Sequence, residues 1–232
     1  MTMNEYFTAV FSKKNLNETR TSCIKCGECC RRNGPALHRD DLYLISEKIL
    51  DRNRMILLRR GEPVMDNVFN RPQLLNEELI KIRARKSGTW TCFFLDQSNL
   101  CSIHNKRPRE CRLLECWNPE QLINYYQTDR ITRQDLIVSG SAMEELITVH
   151  EQRCSVLEIA RLLKEEIEDP GKNAGKMNAM LAFDRSFREE FAKKTGTDES
   201  ELLYYFGRPL GELLRPLSVF LKKNPQDFLL AD

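Results

Sequence analysis

The sequence predicts a mostly α protein with a small β-hairpin, in which a loop-rich core is followed by C-terminal helices. Apolar residues recur at helical spacing through much of the C-terminal half. One short stretch near the middle alternates apolar and basic residues with a period of two, which favours a strand. The cysteines are concentrated in the N-terminal half, among turn residues, which indicates an irregular core there.

The N-terminal half is predicted to contain two helices and the hairpin. Tyr6, Phe7, Val10 and Phe11 indicate a short amphipathic helix, and a second helix is expected from Asp40 to about Arg60, ending before Gly61 and Pro63. Ile80 to Arg85 is the predicted first strand of the hairpin. After the turn dipeptide Ser87-Gly88, the return strand is predicted from Trp90 to Leu95.

Helix-start signals organise the C-terminal half. They are Pro108, which precedes Cys111, the Asn118-Pro119-Glu120 run, and two capping boxes, Ser141 with Glu144 and Ser155 with Glu158. Asp169-Pro170-Gly171 is expected to end the helix that follows Ser155. Further helices are predicted at about Lys176–Lys194, Glu199–Phe206 and Leu210–Lys222, the last interrupted by Pro216.

Composition places the chain among ordinary globular proteins. It has 232 residues, of which 41% are hydrophobic and 30% charged. The positions of the cysteines and of the helix signals suggest an N-terminal extension (1–22), a cysteine-bearing domain (23–168) and a C-terminal helical region (172–232). No apolar run approaches the roughly 20 residues of a membrane span, and the N-terminal residues do not resemble a secretory signal. We therefore expect a cytoplasmic protein, in which grouped cysteines usually bind metal or act in catalysis.

Nine cysteines carry the strongest chemical signal. Four lie in the run Cys23-x2-Cys26-x2-Cys29-Cys30, where Gly27 allows the chain to curl around a metal. The other candidate ligands are Cys92, Cys101, Cys111, Cys116 and Cys154. Soft thiolates select zinc, Cu(I) or iron–sulfur clusters. Because adjacent side chains point apart, Cys29 and Cys30 are expected to face different metals. The cysteines suffice for two clusters, or for one cluster and one zinc.

Several single residues have an ordinary structural interpretation as well. Cys116 and Cys154 also fit helix positions without a metal. His150 lies one helical turn before Cys154, a ligand spacing that is also common in structural histidines. His104 is a candidate to hydrogen-bond a cysteine sulfur, whereas His38 is expected to flank the helix that begins near Asp40.

The motifs together resemble the YkgJ-type family, which carries a zinc- or iron-chelating CxxCxxCC domain. After the first cysteine run, the resemblance continues through Cys92-Phe93-Phe94-Leu95, Cys101-Ser102-Ile103-His104, Arg107-Pro108 and Cys111-Arg112. It covers about residues 20–160. It implies that Cys154, just before the helix at Ser155, supplies a further ligand. Cys116 lies outside the family pattern, and the region beyond Pro170 is additional to it.

Three functional classes remain open at this point. The first is an iron–sulfur protein with one or two clusters, for example of the [4Fe–4S] type, that serves electron transfer or another redox role with a protein partner or substrate protein. The second is a zinc-stabilised binding or adaptor module. The third is a cluster-assisted protein-modifying enzyme. From Cys23 to Cys116 there are 18 Lys and Arg against 12 Asp and Glu. Without interleaved aromatic residues, that mild excess does not predict nucleic-acid binding.

Overall fold

A computed structural model describes residues 21–224, apart from 67, 70 and 87. The predicted helix at residues 6–11 lies outside the described residues. The described part of the chain divides into two units. Unit 1 consists of residues 21–55, 68–69 and 79–132, and unit 2 consists of residues 56–66, 71–78 and 133–224. The predicted 23–168 domain therefore contributes residues to both units.

The described residues are mostly α-helical, as the sequence predicts. The helices are α1 (Glu28–Arg32), α2 (Leu42–Ser46), α3 (Arg109–Leu113), α4 (Glu120–Tyr125), α5 (Ala142–Arg153), α6 (Val156–Glu168), α7 (Ala174–Thr195), α8 (Glu199–Phe206) and α9 (Leu210–Lys223). The strands are β1 (Met55–Leu58), β2 (Pro63–Asp66), β3 (Arg71–Leu74) and β4 (Leu79–Ile82). Short 3₁₀ turns occupy Arg39–Asp41, Arg52–Arg54, His104–Lys106 and Arg133–Asp135.

The predicted helix from Asp40 to Arg60 was wrong beyond α2. Lys48 adopts a left-handed backbone conformation with φ of 57°, which ends the helical path. The backbone N–H groups of Ile49 and Leu50 both turn back to donate to the carbonyl of Leu44. The apolar run that follows is the strand β1, in which Met55 and Leu57 are buried.

The predicted hairpin at residues 80–95 was partly wrong. Its two segments do approach each other in antiparallel fashion, through an isolated bridge between Ala84 and Cys92 and a hydrogen bond from the Arg85 N–H to the Thr91 carbonyl. However, β4 ends at Ile82, and the return segment is not a strand. A regular hairpin lies in unit 2 instead, where β2 and β3 pair from Pro63 opposite Leu74 to Asp66 opposite Arg71.

Helices begin beside all four predicted start signals of the C-terminal half, although Pro119, and not Asn118, is the residue that precedes α4. The Ser141 hydroxyl accepts a hydrogen bond from the Glu144 N–H at the start of α5, and Ser155 accepts one from Glu158 at the start of α6. The predicted interruption at Pro216 was wrong, because α9 continues through it. In unit 2, α6, α7 and α9 pack around an apolar core of Ile159, Leu162, Leu163, Leu210, Leu213, Leu217 and neighbouring side chains.

Three backbone hydrogen bonds form a closed cycle in the core of unit 1. The N–H of Leu37 donates to the carbonyl of Ile80, Ile80 donates to Ile131, and Ile131 donates back to Leu37. All three side chains are fully buried. Beside these three residues, the Ile82 N–H donates to the Pro35 carbonyl. The chain that follows the first cysteine run is therefore held against β4.

Gly34 is the point of closest approach in this arrangement. A Cβ atom at Gly34 would lie 2.2 Å from the carbonyl oxygen of Ile82, which is backbone and cannot rotate away. We predict that Gly34→Ala lowers the free energy of unfolding by about 3 kcal/mol, because the clash forces β4 or the loop to move. Urea unfolding followed by circular dichroism measures the change.

Gly175→Ala is the matched control. Gly175 lies in the first turn of α7, and a Cβ atom there would meet nothing within 4 Å. Alanine favours a helix over glycine, so the control is expected to raise the free energy of unfolding by up to about 1 kcal/mol. Equal effects of the two substitutions would contradict the proposed contact between Gly34 and β4.

Candidate metal centre

The first cysteine run forms a loop that turns into the short helix α1. Gly27 precedes α1 in a left-handed conformation with φ of 76°, a geometry that glycine adopts without strain. Cys29 and Cys30 lie on α1, while Cys23 and Cys26 lie in the exposed loop before it. The local fold therefore presents two thiols from a helix and two from a loop.

Two contacts tie this loop to distant cysteine segments. The Cys92 N–H donates to the Cys30 carbonyl over 2.7 Å, which brings the second cysteine segment against α1. The Arg31 guanidinium donates to the Cys26 carbonyl and to the side-chain oxygen of Asn99, two residues before Cys101. Backbone and side-chain hydrogen bonds within unit 1 thus hold the first cysteine run against segments that follow it by more than 60 residues in the sequence.

The thiols of the three segments interact electrostatically. Burial raises the pKa of Cys92 to about 11, and the negative charges that Cys101 and Cys29 would carry add to the rise. Burial also raises the pKa of Cys101, with further contributions from Cys29 and Cys23. The pKa of Cys111 lies well above its usual value, first because of burial and then because of Cys29 and Cys92. A soft cation at this position displaces the protons and removes the mutual repulsion.

Cys29 and Cys30 are close neighbours rather than divergent side chains. Their Sγ atoms lie 3.8 Å apart, and the hydrogen bond between them, followed by burial, raises the pKa of Cys29. The expectation that the two side chains point apart was therefore wrong. Both residues lie on the short helix α1, and both are half-buried.

The predicted ligands thus separate into groups. In unit 1, electrostatic interactions link the thiols of Cys23, Cys29, Cys92, Cys101 and Cys111, and the Cys30 sulfur lies 3.8 Å from that of Cys29. Cys26 lies in the same loop and is exposed, and Cys116 is half-buried in unit 1, just after α3. Cys154 is fully buried in unit 2, beside His150 and Asp184.

A polar network that the sequence did not reveal positions Cys111. Its neighbour Glu110 accepts a hydrogen bond from the Ala36 N–H over 2.9 Å and pairs with Nε2 of His38 at 3.2 Å. The fully buried carboxylate of Asp41 accepts from the Arg109 N–H at the start of α3 and from the His38 N–H. His38 does flank the turn at Arg39–Asp41, as predicted, but its ring also anchors the helix that carries Cys111.

His104 lies beside the thiols, on the wall of a cavity of about 480 Å³ that Cys101 and Lys25 also line. Its Nε2 atom is buried and has no hydrogen-bond partner among the described residues. Burial lowers the pKa of His104, and the charges of Arg107 and Lys25 lower it further, so the ring is neutral near pH 7. The predicted contact with a cysteine sulfur stays a prediction.

Basic side chains lie near two of the thiols. Lys81 lowers the pKa of Cys92, and Arg107 lowers that of Cys101, although burial outweighs both. These cations favour the thiolate form that binds metal, and they offset the negative charge of several thiolates on one centre.

Residues 22–128 match the model of the CxxCxxCC family, which is described as “Putative zinc- or iron-chelating domain”. This segment is a CxxCxxCC domain. It contains every cysteine discussed above except Cys154. The resemblance seen in the sequence is confirmed over residues 22–128, and the chain is a metal-binding cysteine-cluster protein. The part of the resemblance beyond residue 128, which includes Cys154 as a ligand, stays a prediction.

Searches of curated proteins and of solved structures found no match for the chain. Among the described residues, no helix is both long and apolar enough to cross a membrane.

The network behind Cys111 in the CxxCxxCC domain is directly testable. Glu110→Ala removes the partner of the buried His38 Nε2 atom and of the Ala36 N–H, so we predict a loss of about 1–3 kcal/mol in the free energy of unfolding. Chemical denaturation measures it. Glu120→Ala, on the exposed side of α4, is the control, with a change within about 0.5 kcal/mol. A similar loss in both variants would show that Glu110 has no special anchoring role.

Proposed function

We propose that the CxxCxxCC domain holds an iron–sulfur cluster and that the protein serves electron transfer or another redox reaction. The observation that supports this most is the number of thiols around one place. Cys29 interacts electrostatically with Cys92, Cys101 and Cys111, and its sulfur lies 3.8 Å from that of Cys30. An iron–sulfur cluster takes four cysteine thiolates, so the thiols linked in unit 1 suffice for one cluster.

The surroundings of the centre suit a redox role. Hydrogen bonds to the sulfurs, local charge and solvent exposure set the potential of a cluster. Here the Lys25 N–H donates to the Cys23 sulfur over 3.4 Å, and basic side chains lie beside Cys92 and Cys101. Cys23 and Cys26 are exposed, so electrons have a short path to a protein partner on that side. A cytoplasmic, reducing compartment keeps the thiols available for the metal.

A zinc-stabilised binding module is the second candidate, and one distance favours it. The Sγ atoms of Cys29 and Cys30 are 3.8 Å apart. Two thiolates on the same tetrahedral zinc, each with a Zn–S bond of about 2.3 Å, are separated by about 3.8 Å as well. In that alternative, Cys29 and Cys30 share one ion, and the other thiols complete its coordination.

Metal and sulfide analysis separates the two candidates. We predict that protein purified without oxygen is coloured and contains iron together with acid-labile sulfide. Cys101→Ser replaces a soft thiolate by a poor ligand, so iron per chain is expected to fall at least severalfold while the circular dichroism of the helices remains. Cys116→Ser is the matched comparison, with a milder loss, because Cys116 lies outside the family pattern. Stoichiometric zinc without sulfide or colour would exclude the cluster and favour the binding module.

A further inference from the structure

The loop that leads into Cys92 carries a concentration of positive charge. Residues 81–95 contain four basic side chains and no acidic one. Arg85 and Lys86 are exposed, and neither has a carboxylate partner among the described residues. Unpaired surface charges of one sign attract partners of the opposite sign. We use the term basic face for the surface formed by Arg83, Arg85, Lys86 and Trp90.

Hydrogen bonds fix the backbone of this loop. The Arg85 N–H donates to the Thr91 carbonyl, and the Arg85 guanidinium donates to the Phe93 carbonyl over 3.1 Å. Within the turn, the Thr89 N–H and hydroxyl both donate to the Lys86 carbonyl. The charges are therefore presented from an ordered backbone, which reduces the entropy that a partner must remove on binding.

Trp90 adds a large apolar side chain to these charges, and it is 65% exposed. A single exposed apolar residue is common on a protein surface, but tryptophan and arginine are the residues that contribute most to binding at protein interfaces. The nearby Phe93 ring is already contacted by two guanidinium groups, those of Arg54 and Arg83, whose carbons lie 5.7 and 5.3 Å from the ring centroid. Among the described residues of the loop, Trp90 is therefore the aromatic side chain left for a partner.

The basic face adjoins the cysteine centre of unit 1. Ala84 and Cys92 form an isolated antiparallel bridge, so Arg83 and Arg85 flank the residue that lies opposite a predicted metal ligand. The Cys92 N–H donates to the Cys30 carbonyl, which brings the end of the loop against the first cysteine run. A partner bound to the basic face is thus close to the segments that supply the thiols.

The composition of the basic face favours an acidic protein over a nucleic acid. Proteins that bind single strands combine a cationic groove with several aromatic rings on which successive bases stack, and the basic face offers one such ring. An acidic protein needs complementary charge and an apolar anchor, both of which are present. The Asp51 carboxylate lies 3.4 Å from Arg54, so it offsets that guanidinium and leaves Arg85 and Lys86 for the partner.

We propose that the basic face docks a protein with an acidic surface, with Trp90 as the apolar anchor. Arg85 and Lys86 steer this partner and pair with its carboxylates, while contact with the partner buries Trp90. The role of the partner as an electron donor or acceptor rests on the proposed function. The docking itself does not, because charge and exposure are the same whichever metal unit 1 holds.

Binding of an acidic plant-type [2Fe–2S] ferredoxin to the full chain, purified without oxygen, tests the docking. Calorimetry is expected to show an affinity that falls at least about tenfold as the ionic strength rises from about 0.05 to about 0.5 M, because salt screens exposed charges. Arg85→Glu/Lys86→Glu is expected to weaken binding by a similar factor at low salt, and Trp90→Ala severalfold. Lys176→Glu/Arg185→Glu, at two exposed positions of α7 in unit 2, makes the same change of charge and should bind like the wild type.

Stopped-flow mixing with the reduced ferredoxin separates docking from the redox role. In that step one electron passes from the ferredoxin, which is oxidised, to the cluster, which is reduced. Salt-sensitive binding without electron transfer supports the docking and counts against the iron–sulfur function. Equal binding by Arg85→Glu/Lys86→Glu and its control would overturn the docking, as would an affinity that salt does not weaken. Should the double variant fail to fold, the salt series and Trp90→Ala decide.

The other possible occupants of the basic face give different results, and each would overturn the proposal. Tighter binding of a single-stranded oligothymidylate, lost in Arg85→Glu/Lys86→Glu, would assign the face to nucleic acid. A wild-type dimer that this variant dissociates would assign it to a second copy of the chain. Trp90 fluorescence, taken as the difference between the wild type and Trp90→Phe, is expected to be quenched by acrylamide. A shielded Trp90 in the free monomer would mean that another part of the chain covers the face.

Discussion

The convergence of thiols from three distant segments is the constraint on which unit 1 depends. Cys29, Cys92 and Cys101 are partly or fully buried, and their thiolates repel one another. Burial and this repulsion make the ionised forms unfavourable, which raises the pKa values of all three thiols. The fold opposes the repulsion with hydrogen bonds that do not involve the sulfurs, such as the one from the Cys92 N–H to the Cys30 carbonyl. A bound metal then stabilises the arrangement further, since metal binding and folding are coupled.

The supporting structure around the thiols is built mainly from polar groups. Asp41 is fully buried yet accepts two backbone hydrogen bonds, and Glu110 joins His38 to the loop that leaves α1. Such networks hold a ligand in place only when each buried group has a partner. They explain how a short helix such as α3, which has little apolar surface of its own, presents Cys111 at a defined position.

The sequence predicted the long C-terminal helices well because their signals are local. Ser141 and Ser155 cap α5 and α6 as expected, and α8 begins and ends where predicted. The errors lie where tertiary contacts decide the conformation. The apolar residues after Asp40 fit helical spacing, but a backbone reversal at Lys48 places them in a strand. The sequence does not predict the β2–β3 hairpin, because the hairpin begins at Pro63, a residue type that indicates the end of a helix.

The candidate site, like the fold, was predicted only where the signal is local in the sequence. The cysteine motifs identified the metal-binding domain, because thiolates at that spacing have few other uses. No local pattern indicated that His38 anchors Glu110, or that Asp184 lies beside His150, since these two contacts join residues 72 and 34 positions apart. The spacing of His150 and Cys154 was visible in the sequence, but Asp184 comes from another helix.

Iron X-ray absorption of anaerobically purified protein tests the central claim most directly. The account predicts iron surrounded by sulfur alone, with a second iron atom at the short iron–iron distance found inside a cluster. Both follow because several thiolates and inorganic sulfide share one centre in unit 1. Iron with mainly nitrogen or oxygen neighbours, or protein with no iron above background, would contradict it.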